Sequence, residues 1–295
     1  MIPGFELFRM RLYPALELNW TRPVDAGRVD RLMADLDGLG VMAVEEQADG
    51  VRVFFSSPAN RDTALPHLLA QPDLTCTLID IPDEGWAARS QAAIEPVTIG
   101  DVTVAPPWTI TGELRATSTH LVVIQPSMGF GTGHHASTRL CLRWLQHTPL
   151  AGAAVLDVGT GSGVLAIAAS QLGATTVVGI DVDPDALTSA RENVDLNEAA
   201  ARVALHELDL SAAASVLRRT FDVILANLTG GLLCRDAGAF GALASPGARL
   251  IASGFQRHES AQVVGAFADA GWTLEGQTEE QDWVGVRLRF GAALT

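Results

Sequence analysis

Residues 12–20 (LYPALELNW) alternate loosely between apolar and polar positions, the period-2 pattern of a half-buried strand. Residues 25–38 place Val29, Leu32, Met33 and Leu36 on one face of a helix. Two apolar runs, 41–46 and 51–55, flank the tetrapeptide QADG, a hairpin signal. Leu65, Leu68 and Leu69 carry helical spacing within 61–70, and 74–81 (LTCTLIDI) reads as a further strand. The order β-α-β-β-α-β is the ferredoxin-like arrangement, which predicts a small α+β domain over residues 1–81. It holds no catalytic constellation and reads as a scaffold or binding platform.

Residues 82–108 then lose the pattern. A short helix carrying Trp86 is predicted over 83–89, and the stretch ends in APPW, where paired prolines favour an extended, stiff path; it reads as a linker. From 109 to 295 the pattern changes to apolar runs alternating with helical stretches: strands over 121–126, 153–156, 176–180, 203–208, 221–226 and 248–252, with a closing antiparallel pair at 272–278 and 283–290. Helices are predicted from Ala136 or Ser137, over 164–172, from Asp183-Pro184, after Gly230 to Leu243 and over 257–270. This alternation predicts a doubly wound α/β sheet.

The most informative stretch is VLDVGTGSGVLAIAASQLGATTVVGID, residues 155–181. It reads strand, glycine turn, helix, strand, acid, which is half of a nucleotide-binding α/β unit. Glycine admits positive φ and lets a ligand approach without a Cβ in the way, and a helix start offers free N–H groups. Asp181 lies 181 − 159 = 22 residues beyond the first glycine, close to the separation of about 20 at which an acid meets a ribose hydroxyl. A dinucleotide G-x-G-x-x-G would need its third glycine at Val164; the actual spacing is D-x-G-x-G-x-G, Asp157 to Gly163.

Composition narrows the chemistry. The chain of 295 residues contains no lysine, so neither a phosphate-loop lysine nor a Schiff base is available. Its formal net charge of −14 disfavours direct binding to nucleic acid and suits a basic protein partner. Cys76, Cys141 and Cys234 lie far apart in or beside apolar segments, which points to buried thiols rather than a metal or disulfide role. His134 and His135 are adjacent, so their side chains diverge and no metal pair is expected. No apolar run reaches membrane length and the N-terminus lacks a signal-peptide core; a cytoplasmic protein is expected.

The D-x-G-x-G-x-G pattern with its later acid resembles motif I of class I S-adenosylmethionine-dependent methyltransferases. With it stand FGTGHHAST (130–138), GIDVDPDAL (179–187), ANLTGGLL (226–233) and EEQDW (279–283). In this order, behind a small ferredoxin-like domain, they resemble the ribosomal protein L11 methyltransferase family over nearly the whole chain. The resemblance implies a Rossmann-like class I methyltransferase sheet over 109–295, a substrate-recognition domain over 1–81, S-adenosylmethionine as cofactor, and repeated methylation of lysine and N-terminal amines of a ribosomal protein. By position it implies cofactor contacts at Thr138, Gly159, Asp181 and Asn227, with Gly161 and Asp209 (near the adenine amine) as further contacts, and makes Asn227 the residue that orients the accepting amine. Each has a plainer alternative: Thr138 as a helix-start residue, Asp181 as a cap for the helix at 184, Asn227 as a turn residue. Thr229 departs from the tyrosine or leucine common in the family. A methyltransferase of another protein or of a small amine, and a catalytically idle cofactor-binding module, remain alternatives at this point.

Overall fold

Four apolar runs, 153–156, 176–180, 221–226 and 248–252, make the centre of the second half of the chain, and they are largely buried on both faces because helices cover the sheet above and below. The computed structural model describes residues 12–20, 36, 39–47, 50–69, 73–82, 94–126 and 133–291. The chain divides into two compact units, Met1–Ile94 and Glu95–Thr295.

In the first unit, β1 (Leu12–Trp20), β2 (Val41–Gln47), β3 (Gly50–Phe55) and β4 (Leu74–Pro82) form an antiparallel sheet in the order β2-β3-β1-β4, with α1 (Pro58–Leu69) between β3 and β4. That is the strand order expected of a ferredoxin-like domain. Leu16, Leu18, Val51, Val53 and Phe55 meet Leu36, Ala64 and Leu68 in its core. The remainder of the helix expected at 25–38 lies outside the described residues, as do the centre of the QADG turn and the helix expected around Trp86. Arg52 bridges Glu17 and Glu45 across three strands at 2.9 and 3.0 Å, a structural ion pair rather than a reactive one.

In the second unit, the stretch expected to end the linker is folded. β5 (Val97–Ile99) and β6 (Val102–Ala105) pair with each other, and β6 pairs in parallel with β7 (His120–Val123). The second proline and the tryptophan of APPW open a 3₁₀ turn, Pro107–Thr109, which precedes α2 (Gly112–Thr117). These strands are three and four residues long, and what holds them is remote in sequence. Gln146, on α3 (Ala136–Gln146), accepts from the Asp101 amide at 2.7 Å and donates to the Ile99 carbonyl at 2.8 Å.

The main sheet has the order β10-β9-β8-β11-β12-β14-β13. Its strands are β8 (Ala154–Val158), β9 (Thr176–Asp181), β10 (Val203–Glu207), β11 (Phe221–Asn227), β12 (Ala244–Gln256), β13 (Trp272–Glu280) and β14 (Trp283–Phe290). The first five run parallel and β14 and β13 close one edge antiparallel. The connecting helices are α4 (Val164–Gln171), α5 (Pro184–Leu196), α6 (Leu210–Leu217), α7 (Gly230–Leu243) and α8 (Ser260–Asp269). Strand alternation divides the core in two. Val155, Val177, Val223 and Ile251 face α3, α4 and α5, whereas Leu156, Val178, Ile224 and Leu250 face α6, α7 and α8. From β8 the chain moves outward through β9 to β10 and then returns to β11 on the other side. That reversal opens a crevice at the carboxyl ends of β8 and β11, where sheets of this kind take their ligands.

β12 is longer than the expected 248–252 and is bulged between Ala252 and Phe255, with Gly254 at φ +94°. A Cβ at Gly254 would stand 2.5 Å from the Leu228 carbonyl oxygen and 2.8 Å from the Leu228 nitrogen, both backbone atoms that no rotamer change can move. Gly254→Ala should therefore destabilise the protein by about 1–3 kcal/mol through backbone strain. The measurement is the urea unfolding midpoint, and an unchanged midpoint would show that the strand ends are free to part.

Candidate active site

β8 ends in Asp157-Val158, and the chain then turns through three left-handed glycines, Gly159, Gly161 and Gly163, at φ 66, 53 and 81°. The turn is fastened to the end of β9. The amides of Gly159 and Thr160 both donate to the Ile180 carbonyl, at 2.9 and 3.0 Å. The Gly161 amide donates to Asp181 Oδ2 at 2.9 Å, and the Asp183 amide to Asp181 Oδ1 at 3.0 Å. Asp181 thus has one backbone N–H on each oxygen and stays half-buried, with lone pairs left for further donors. The capping role expected as its alternative belongs instead to Asp183, which accepts from the Asp185 amide at the start of α5.

Beneath the turn lies a group that sequence reading left out of the site. Asp157 is buried, and its Oδ2 accepts from Thr160 Oγ at 2.7 Å and from the Ala166 amide at 3.2 Å. Thr160 fits because Gly179, on β9, has no side chain: a Cβ there would lie 2.9 Å from the Thr160 hydroxyl and 2.7 Å from Leu205. Burial is the main force raising the Asp157 carboxyl from 3.8 to about 7, with the negative charge of Asp181 adding and the Thr160 and Ala166 bonds opposing. The D of D-x-G-x-G-x-G was visible; that it braces the turn from below was not.

Across the crevice, β11 ends at Asn227. Its Nδ2 donates to Thr138 Oγ1 at 3.2 Å, and Thr138 is buried in the first turn of α3. The next residue, Leu228, lies over the glycine turn: a Cβ at Gly159 would come within 2.5 Å of Leu228 Cδ2. The structure therefore brings Thr138, Gly159, Gly161, Asp181 and Asn227 to the carboxyl ends of β8, β9 and β11. Asp209 comes to the same end of the sheet, since the Leu208 amide donates to the Asp181 carbonyl at 2.9 Å. It is exposed, and its Oδ1 caps α6 through the Ser211 amide at 2.8 Å and the Ser211 hydroxyl, bonds that hold its carboxyl below the usual range. Thr229 precedes α7 as an exposed residue whose side chain makes no cap bond.

The two histidines diverge. His134 bonds the Glu95 carbonyl at 2.8 Å, while His135 meets Ser137 Oγ at 2.7 Å and packs edge-on against Trp283 with ring centroids 4.4 Å apart. Burial, helped by the charge of Arg139, lowers the His135 pKa below its ordinary value. Among the described residues no three His, Cys, Asp or Glu side chains come together as metal ligands, and no helix is long and apolar enough to cross a membrane.

A seven-stranded sheet of this order, with a glycine turn at its reversal point and an acid ending the neighbouring strand, defines the class I S-adenosylmethionine-dependent methyltransferase fold. Residues 41–290 match the family model described as ribosomal protein L11 methyltransferase. The chain is 36% identical over 252 residues to the ribosomal protein L11 methyltransferase of Deinococcus radiodurans, covering 84% of this chain and 89% of that one. It is 37% identical over 206 residues to the protein of that name from Cupriavidus metallidurans, covering 69% of this chain and 64% of that one. With a second Cupriavidus relative at 66%, the chain spans just under two thirds of the length of these two proteins. A crystal structure of the ribosomal protein L11 methylase from Lactobacillus delbrueckii superposes with a TM-score of 0.60 at 25% identity, covering 67% of this chain and 98% of that one. The chain belongs to the ribosomal protein L11 methyltransferase family.

The buried carboxyl of Asp157 makes stability depend on pH. The folded chain keeps a proton that the unfolded chain has lost, so this group's contribution falls as pH rises from 3.8 to about 7 and is level above that. Asp157→Asn keeps an oxygen for Thr160 and Ala166 and has no proton to lose. Its unfolding free energy should exceed the wild type's at pH 8 and converge with it at pH 4; curves that run parallel across this range would show that Asp157 is ionised throughout.

Proposed function

We propose that the protein methylates amino groups of ribosomal protein L11, both lysine side chains and the N-terminal amine, with S-adenosylmethionine as donor, and that it does so in the cytoplasm. What carries this reading is the pairing of Asn227 with Thr138 across a crevice whose opposite wall is the glycine turn held by Asp181, in a chain of this family.

The residues present fit the cofactor. Gly159 and Gly161 give the turn its left-handed backbone, and Gly161 carries no Cβ to hinder a close backbone approach. Asp181, its oxygens already oriented by two backbone amides, has acceptor capacity for the two hydroxyls of a ribose. Thr138, Gly159, Gly161 and Asp181 would hold the donor, Asp209 would stand beside its base, and Asn227 would close the site on the methyl side. When bound, the cofactor supplies a methyl group on a positively charged sulfur, already activated toward a nucleophile.

The chain's remaining task is alignment, which contributes up to about 7–11 kcal/mol in well-oriented reactions. A lysine amine is protonated at neutral pH, its free pKa being near 10.4, and must enter the crevice neutral. With Nδ2 committed to Thr138, Asn227 offers Oδ1 as the acceptor for an amine N–H, which turns the nitrogen lone pair toward the methyl group. Thr229, small and exposed beside Asn227, leaves the entry to this point wider than a tyrosine or leucine would. The net charge of −14 complements a basic ribosomal protein. The N-terminal unit, with its own core and structural ion pairs, would serve as the reader of that protein.

Two substitutions separate binding from chemistry. Asp181→Ala should weaken S-adenosylmethionine binding, read by calorimetry, by the roughly 1.5–3 kcal/mol of a charge-assisted bond. Asn227→Ala should lower the rate at saturating cofactor more than it lowers affinity; the reverse order would remove it from the amine. For the N-terminal unit, a chain beginning at Glu95 should fold, bind S-adenosylmethionine as the full chain does and lose methylation of L11. Equal methylation by the shortened chain would end the substrate-reader assignment.

A further inference from the structure

β7 is the edge of the three-stranded sheet, and among the described residues its outer side has no strand partner. Its backbone groups must still be paired where they are buried, and side-chain amides supply the bonds. Gln171 Nε2 donates to the Leu121 carbonyl at 2.9 Å. Asn197 pairs with Val123 at two points: it accepts from the Val123 amide at 2.8 Å and donates to the Val123 carbonyl at 2.6 Å. One helical turn back on α5, Asn193 accepts from the Gln125 amide at 2.8 Å.

Asn193 differs from the other two in what its second atom does. Gln171 and Asn197 bond the β7 edge and nearby helix groups. Asn193 Nδ2 instead donates to the Ser162 carbonyl at 2.9 Å, inside the glycine turn, and the side chain is completely buried. One amide thereby ties the glycine turn to the segment just after β7, from which the sequence runs on to α3 and Thr138.

We propose that Asn193 is a positioning residue for cofactor binding: it fixes the glycine turn against the Gln125 segment, so that the turn is held in its binding position before the cofactor arrives. The inference rests on the cofactor reading above. An apolar residue at 193 leaves two backbone groups, the part-buried Gln125 amide and the buried Ser162 carbonyl, without this partner. Asn197 makes a matched comparison, because it bonds β7 equally well and its side chain makes no bond to the glycine turn.

The test uses the full chain, with S-adenosylhomocysteine binding measured by calorimetry and stability by urea unfolding, in wild type, Asn193→Ala, Asn193→Asp and Asn197→Ala. Asn193→Ala should weaken binding by about tenfold or more. It should also raise KM for the cofactor while leaving kcat at saturation within about threefold. Asn197→Ala should lower the unfolding midpoint but bind within about twofold of wild type. Asn193→Asp keeps the acceptor for Gln125 and loses the donor to Ser162, so it should bind as weakly as the alanine variant; being isosteric, it is read in its place if that variant does not fold. Wild-type affinity in the Asn193 variants, or an equal loss in Asn197→Ala, would overturn the inference alone. Absence of binding by the wild type would overturn the cofactor reading and this inference with it.

Discussion

The site depends on one set of short bonds: the N–H groups of the glycine turn spend themselves on the end of β9. Gly159 and Thr160 converge on the Ile180 carbonyl and Gly161 takes Asp181 Oδ2. A turn of this shape needs left-handed residues at 159, 161 and 163, and glycine adopts that conformation without the Cβ cost that other residues bear. Because the turn grips the neighbouring strand rather than solvent, the register between β8 and β9 sets where the acid stands. Asp181 is oriented by the chain itself, and little ordering is left for a ligand to impose.

The rest of the crevice is built outward from that point. Asp157 braces the turn from inside the core, where burial makes its carboxyl costly to ionise while it accepts from Thr160 and Ala166. Leu228 rests against the bare face of Gly159, and the bulge at Gly254 lets the Leu228 backbone come close enough to be held by Ser253. Asn227 is therefore placed by two neighbours it does not itself bond, and its amide is then turned by Thr138.

Much of this was legible in the sequence, for a physical reason. In a doubly wound sheet the buried strands are unbroken apolar runs, and the residues that end them at the crevice are polar, so Asp181 and Asn227 mark the strand ends that open on it. From 136 to 290 the order of elements follows the pattern except for α6, Leu210–Leu217, which the sequence reading left out between the strands at 203–208 and 221–226. What escaped was whatever depends on contacts remote in sequence. Val97–Ile99 and Val102–Ala105 are too short to show a period, and only β7 and Gln146 make them strands. Asn193 and Asn197 have the spacing of a solvated helix face; nothing in the string says that Asn193 is buried against Ser162. The bulge that lengthens β12 is equally silent, since a lone glycine in an apolar run does not announce what approaches it.

Gly179 has a different kind of consequence. It is bare to make space, not to bend the chain: its place in β9 is filled by the Thr160 hydroxyl and by Leu205. Positions 160, 179 and 205 therefore form an epistatic trio. An alanine at 179 requires the Thr160 hydroxyl, with its bond to Asp157, and the end of the Leu205 side chain to give way, and it fits more readily on a background where either has already changed. Drift along one strand of the sheet is constrained by a residue in the loop and another on the neighbouring strand, so the order in which substitutions arrive, and not only the merit of each, decides which sequences can be reached.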